Sequence, residues 1–219
     1  MGRMMVEVKR RYDASGRRAK AERTREELIG AARDLLLANG YTATAVADVA
    51  GACGVSVESV YKRFGGKAGL VRAVVDEALS GEGPVPAEAR SNALSVTDPR
   101  TLLRGWGRLT MEIAPLVSPI LLLVKSAAAQ DGNLTGLANE LDNDRRRRMI
   151  DNARRLAGAG HLRSGMTVER TADVLWAFSS PELYDLLVLR SGWDLASYAD
   201  FVTRGLIEQL LETGRGAQP

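Results

Sequence analysis

The sequence predicts an all-α protein, with an N-terminal helix-turn-helix domain followed by a larger helical domain. Three observations carry this. Ala, Leu, Arg and Glu dominate long stretches, no sustained period-two alternation of β-branched residues occurs, and apolar residues recur at intervals of three and four. With 219 residues, 45% of them hydrophobic, the chain can bury one large or two modest cores.

Residues 1–25 form a basic arm, with nine Lys and Arg against three Asp and Glu. The whole chain carries only +3, so the remainder is net acidic. Such an arm beside a helix-turn-helix suits contact with phosphates or the minor groove, and equally suits a mobile, solvated tail. The helix-turn-helix domain is expected over 26–80. Leu28, Ala31, Ala32, Leu35 and Leu36 give a first amphipathic helix over 26–37, closed by Asn39-Gly40. Thr42 and Thr44 precede a second helix, where either hydroxyl can cap it or bond a phosphate. Its apolar positions are Val46, Val49, Ala50 and Cys53; Gly54 then breaks the pattern. Ser56 is placed to cap a third helix, whose inward residues Val60 and Phe64 leave Val57, Glu58, Ser59, Tyr61 and Lys62 facing outward. Two short helices meeting at a corner are the layout of a helix-turn-helix, the second helix entering the major groove of double-stranded DNA. Leu70, Val71, Val74, Val75 and Ala78 form the inward face of a fourth helix over 67–79.

Gly and Pro at 81, 83, 84 and 86 open a linker expected over 81–97. The second domain is expected over 98–214. Asp98-Pro99 starts a helix that Pro115 ends or kinks, and a second apolar helix follows over 116–130. A turn at Asp131-Gly132-Asn133 leads to a long charged helix over 134–158. Its Arg145 to Arg148 run reads as a solvated face paired with Asp142, Asp144 and Asp151. The last third carries two helical segments. The final one repeats Tyr198, Phe201, Val202, Gly205, Leu206, Gln209 and Leu210 at three and four, a stripe that needs a partner.

Between Leu28 and Leu79 the order and spacing of Val49-Ala50, Cys53, Gly54-Val55-Ser56, Ser59, Tyr61, Phe64, Lys67 and Leu70 resemble the TetR family of bacterial transcriptional regulators. Cys53 stands where that pattern usually has Ala, Glu58 where Gly is frequent, and Gly66 where a polar cap is usual. The resemblance implies that Tyr61 and Lys67 bond phosphates, while Val57, Glu58 and Ser59 sit where base edges are read. Glu58 can accept from cytosine N4 or simply favour the helix N-terminus. With Thr42, Thr44, Ser56 and Lys62 these complete the candidate DNA contacts. The resemblance further implies a homodimeric regulator of a pseudopalindromic operator, a repressor released by a small apolar ligand, or else one with no ligand response. Trp106, Met111, Leu116, Ile120, Leu123, Met149, Trp176 and Phe178 are candidates for the pocket, or for plain packing. Leu183 and Leu187, with Tyr198, Phe201, Val202, Gly205, Leu206, Gln209 and Leu210, are candidates for a four-helix dimer interface.

Enzymatic chemistry finds little support. His161, the single His, lies in a Gly-rich turn, Cys53 lies on an apolar helix face, and Gly65-Gly66-Lys67 lacks the leading Gly and following hydroxyl of a phosphate loop. No metal-ligand spacing occurs, no cofactor is expected, and a helical small-molecule enzyme stands as the alternative class. One Cys, no apolar leader after Met1, and an apolar run at 114–124 interrupted by two prolines predict a cytoplasmic protein without a membrane span.

Overall fold

The computed structural model describes residues 14–130 and 132–212, and among these no strand occurs. The first thirteen residues of the basic arm, with Arg3, Lys9, Arg10 and Arg11, lie outside the described residues, as does Asp131. Helix α1 spans Ala14–Ala43 and is broken at Gly40, whose φ of 82° and ψ of 170° no helix accommodates. The break falls where Asn39-Gly40 predicts it. The start does not, since α1 begins well before Glu26. Residues 16–23 are exposed all round. Ala, Arg, Lys and Glu favour a helix through backbone propensity alone, which leaves no apolar stripe to read.

Helices α2 (Val46–Ala52), α3 (Val57–Phe64) and α4 (Lys67–Ser80) follow closely. Val46, Val49, Ala50, Val60 and the predicted face of α4 join Leu28, Ile29, Ala32 and Leu36 of α1 in one core. Within the expected linker, Ala87–Ala93 forms a short helix, α5. Helix α6 then runs unbroken from Pro99 to Ala128, through both Pro115 and Pro119. This corrects the expectation of two helices. Each proline removes one backbone donor, but the flanking Ala114, Val117, Ile120 and Val124 are all buried, and their packing holds the helix together.

A 3₁₀ turn, Gly132–Leu134, leads into α7 (Thr135–Gly158), α8 (Val168–Phe178) and the single-turn α9 (Pro181–Tyr184). The last continues as a π-helical stretch, Asp185–Arg190, and α10 (Leu195–Leu210) closes the described chain. Leu102, Leu103 and Trp106 of α6 form a second core with Ala153 and Leu156 of α7, Ala172 and Leu175 of α8, and Tyr198, Val202, Leu206 and Leu210 of α10. The far end of α6 belongs elsewhere. Val117, Ile120 and Val124, with Leu137 and Leu141 of α7, are part of the first core, against α1 and α4. Helix α6 is also the one described helix long and apolar enough to cross a membrane, although Leu102, Leu103, Ile120 and Val124 are buried in protein.

Candidate nucleic-acid interface

The corner between α2 and α3 is built from local signals. Asp48 Oδ2 accepts from the Ala45 amide at 2.9 Å, closing the first turn of α2, and the Val55 amide donates to the Ala50 carbonyl across the turn at 3.0 Å. Ser56 caps α3 by accepting from the Ser59 amide at 3.2 Å, with the two hydroxyls 2.8 Å apart. Gly65, left-handed at φ 76°, ends α3.

The outer face follows from this. Val60 is fully buried, so Val57, Glu58, Ser59, Tyr61 and Lys62 all emerge on the surface, Tyr61 at 54% exposure. Behind Tyr61 the backbone is close, because a Cβ on Gly66 would lie 3.2 Å from its ring. Closer still is Gly69 of α4, where a Cβ would stand 1.8 Å from the Phe64 carbonyl oxygen at the end of α3. Helix α4 therefore fixes the pose of the exposed helix through direct backbone contact.

Thr42 is exposed beside this face; Thr44 is not. Only 3% exposed, Thr44 turns its hydroxyl inward toward the carbonyls of Gly40, at 2.8 Å, and Leu35, at 3.1 Å. It neither caps α2, whose N-cap position is Ala45, nor reaches the surface. The role is to close the chain around the break in α1. Lys67 is also partly withdrawn: its ammonium donates to the Tyr41 carbonyl and stands 4.0 Å over the Tyr41 ring. Burial pushes its pKa below the ordinary lysine value, against the opposing pull of Asp48.

Sequence reasoning missed one element of this surface. Arg63 of α3 donates to the Ala21 carbonyl, which brings the exposed basic turns of α1, with Arg18 and Lys20, to the side of the reading helix. The contact joins positions 42 residues apart, and no local spacing announces it.

Residues 28–74 match the model of the bacterial regulatory proteins of the tetR family. These residues form a DNA-binding domain of the TetR type. The chain is a DNA-binding transcriptional regulator. Solved structures of similar fold include NalD, described as the secondary repressor of the MexAB-OprM multidrug efflux pump in Pseudomonas aeruginosa, at 22% identity and a TM-score of 0.60, covering 89% of this chain and 99% of that one. SmeT, solved as a triclosan complex, is 18% identical with a TM-score of 0.67, covering 88% and 93%. TylP, a TetR regulator from Streptomyces fradiae, is 22% identical with a TM-score of 0.61, covering 89% of each chain. No curated protein sequence matches the chain.

In this regulator the candidate pocket residues do not gather around one cavity. Ile120 and Leu123 serve the first core, while Trp106, Met149 and Phe178 serve the second. Trp176 lies under the guanidinium groups of Arg145 and Arg146, at 4.9 and 5.2 Å. Met111 and Leu116 line a surface groove on α6. The stripe on α10 is likewise spent inside the chain. Tyr198, Val202, Leu206 and Leu210 are buried against α6 and α8, and Gly205 makes room for the Phe178 ring, which a Cβ would meet at 2.4 Å. Three-and-four spacing announces a covered face; it does not say which element covers it. Leu183, Leu187 and Phe201 are partly buried, Gln209 is exposed, and the apolar surface left open at this end is Leu186, Leu189 and Trp193.

The Arg145 to Arg148 run is ion-paired, though with partners other than those its spacing suggests. Arg145 meets Asp142, Arg146 meets Asp173, Arg147 meets Asp144, and Arg148 meets Glu88. One further cluster joins the family's reading domain to the rest. Glu112 of α6 accepts from the Glu82 amide just beyond α4, at 2.6 Å, and from Arg90 of α5, at 2.8 Å through Nη1 and again through Nη2. The Arg90 hydrogen bonds hold the Glu112 carboxyl below its ordinary pKa, so the cluster is formed at neutral pH and is lost on acidification.

Proposed function

We propose that this regulator is a cytoplasmic homodimer that represses transcription from a pseudopalindromic operator and is released by a small molecule bound in its C-terminal half. The observation that carries the DNA reading is the exposed face of α3, where Val57, Glu58 and Ser59 lie at the helix N-terminus and Tyr61 and Lys62 follow, all solvent-facing over a buried Val60. Val57, Glu58 and Ser59 read base edges. Tyr61, Lys62 and Lys67 bond phosphates, Lys67 with the two ammonium hydrogens that the Tyr41 carbonyl leaves free. Thr42 adds a hydroxyl, and the basic turns of α1 add positive charge alongside. The exposed Leu186, Leu189 and Trp193, continuous with Phe201 through the Trp193–Phe201 ring contact at 5.7 Å, supply the face on which two copies pair. Repression and ligand response are supported by NalD, described as a repressor, and by SmeT, solved with triclosan.

The test uses a duplex selected by the full-length protein from a random pool, with affinity measured against salt concentration. Tyr61→Phe is expected to weaken binding similarly on all sequences. Lys67→Ala is expected to lower the slope of log K against log salt by about one. Failure to select any duplex, or unchanged affinity and slope in both variants, would remove the assignment.

A further inference from the structure

The outer surface of α6 carries two grooves that adjoin at Arg108 and Met111, which line both. The first, about 590 Å³, runs between α6 and α10. Its floor is tight, since a Cβ on Gly107 would lie 1.9 Å from Thr203 Oγ1. Arg100, Arg104 and Arg108 recur along its wall at intervals of four, which places them on one helix face over roughly 12 Å. Across from them Arg204 is neutralised by Asp200 at 2.8 Å, leaving Glu208 as the one opposing carboxylate among the described lining residues. Arg100 has a contact to the Glu212 carbonyl at 3.4 Å; Arg104 feels the Asp98 carboxylate at a distance but neither it nor Arg108 makes a hydrogen bond or close ion pair among the described residues. The first groove is therefore net cationic.

The second groove, about 670 Å³, changes character. Leu94, Leu109, Pro115, Leu116 and Leu195 provide an apolar lining; of its charged residues Arg90 is matched by Glu112, Arg108 is the one shared with the first groove, and Glu82 is exposed. One continuous trough thus passes from a row of guanidinium groups, over an exposed Met111, to a hydrocarbon-lined end beside the Glu112 cluster.

We propose that this trough binds a single-chain amphiphile with an anionic head, a carboxylate or phosphate ester, the head on Arg104 and Arg108 and the tail between Leu109, Leu116 and Leu195. Guanidinium groups with no hydrogen-bonded carboxylate give bidentate recognition of such heads, and the apolar end removes the tail from water. The binding site stands on this lining alone; its regulatory use rests on the ligand-release reading above. Because the tail ends beside Glu112, which holds Glu82, two residues beyond α4, in place, an occupied trough bears on the helix that poses α3.

The experiment titrates full-length protein calorimetrically with decanoate below its micellar concentration, with 1-decanol, and with vesicles of phosphatidylcholine and phosphatidylglycerol. Wild type is expected to bind decanoate at least tenfold tighter than decanol. The Arg104→Ala/Arg108→Ala variant is expected to lose at least tenfold toward decanoate with decanol unchanged, and Met111→Glu, at an exposed position, is expected to weaken both. Equal decanoate affinity in wild type and the double arginine variant, preference for decanol, or binding to vesicles but not to decanoate would overturn the proposal. Operator affinity measured in the same samples separates the two readings. Arginine-dependent decanoate binding that leaves operator affinity unchanged supports the site and refutes release by this ligand, whereas decanoate-driven release that survives both arginine substitutions overturns the site while release stands.

Discussion

Gly69→Ala tests whether α4 poses the reading helix through backbone contact. The added methyl carbon would stand 1.8 Å from the Phe64 carbonyl oxygen and 2.9 Å from its carbon, whereas even a close C···O contact is about 3.3 Å. The neighbour is main chain and cannot rotate away, so α3 and α4 must separate by over ~1 Å. Overpacking of this kind costs about 3 kcal/mol, at the upper end of its usual range. Alanine returns up to about 1 kcal/mol through helix propensity. The net expectation is a loss of about 2 kcal/mol, or roughly 4–8 °C in Tm for a chain of this size. Gly30→Ala is the control, since it lies within α1 and nothing approaches its Cβ within 4 Å; it is expected to gain about 0.5–1 kcal/mol. Urea unfolding followed by circular dichroism measures both. Operator affinity of Gly69→Ala is expected to fall further than its folded fraction explains, because the strain displaces α3 itself. If Gly69→Ala gains stability as Gly30→Ala does, the reasoning fails.

Thr44→Val keeps the shape of the side chain but strands the hydroxyl's carbonyl partners at Gly40 and Leu35, so a loss of about 1–2 kcal/mol is expected in the same unfolding assay, with the salt slope of operator binding unchanged. A reduced slope at unchanged stability would restore Thr44 to the phosphate surface. Tyr198, 1% exposed, has its phenol pushed up to about 12 by burial and then by Tyr184, against an ordinary value of 10.0. The raised group leaves the folded state protonated while the unfolded state ionises, so stability is intact below pH 10 and falls by about 3 kcal/mol as pH rises from about 10 to about 12. Tyr198→Phe should lack that component, and parallel wild-type and variant curves of stability against pH would count against it.

The reading domain was legible in the sequence because its information is local. Ser56, Gly65 and the spacing of Val46, Val49, Val60 and Leu70 specify caps, a turn and one inward face, and these structures form within a few residues of the signals. What was not legible depends on which surfaces meet. Thr44 looked like any hydroxyl before a helix until the bend at Gly40 brought two carbonyls over it. Pro115 would break an isolated helix, and only the burial of its neighbours in protein overrides it. Periodicity along α10 marked its covered face, yet α6 and α8 of the same chain cover it, which leaves the less regular Leu186, Leu189 and Trp193 outside.

Helix α6 deposits side chains in both cores: Leu102, Leu103 and Trp106 in one, Val117, Ile120 and Val124 in the other. The boundary after α4 is therefore a boundary of sequence and not of energy. Cutting the chain there would strip α1 and α4 of the part of their apolar cover that Val117, Ile120 and Val124 provide, so the isolated N-terminal half is expected to be less stable than the same half in the full chain. A molecule that binds at one end of α6 is therefore placed to bear on the other. Communication between the halves thus needs no dedicated wire, since the cost of loosening one is carried by a helix that both must keep.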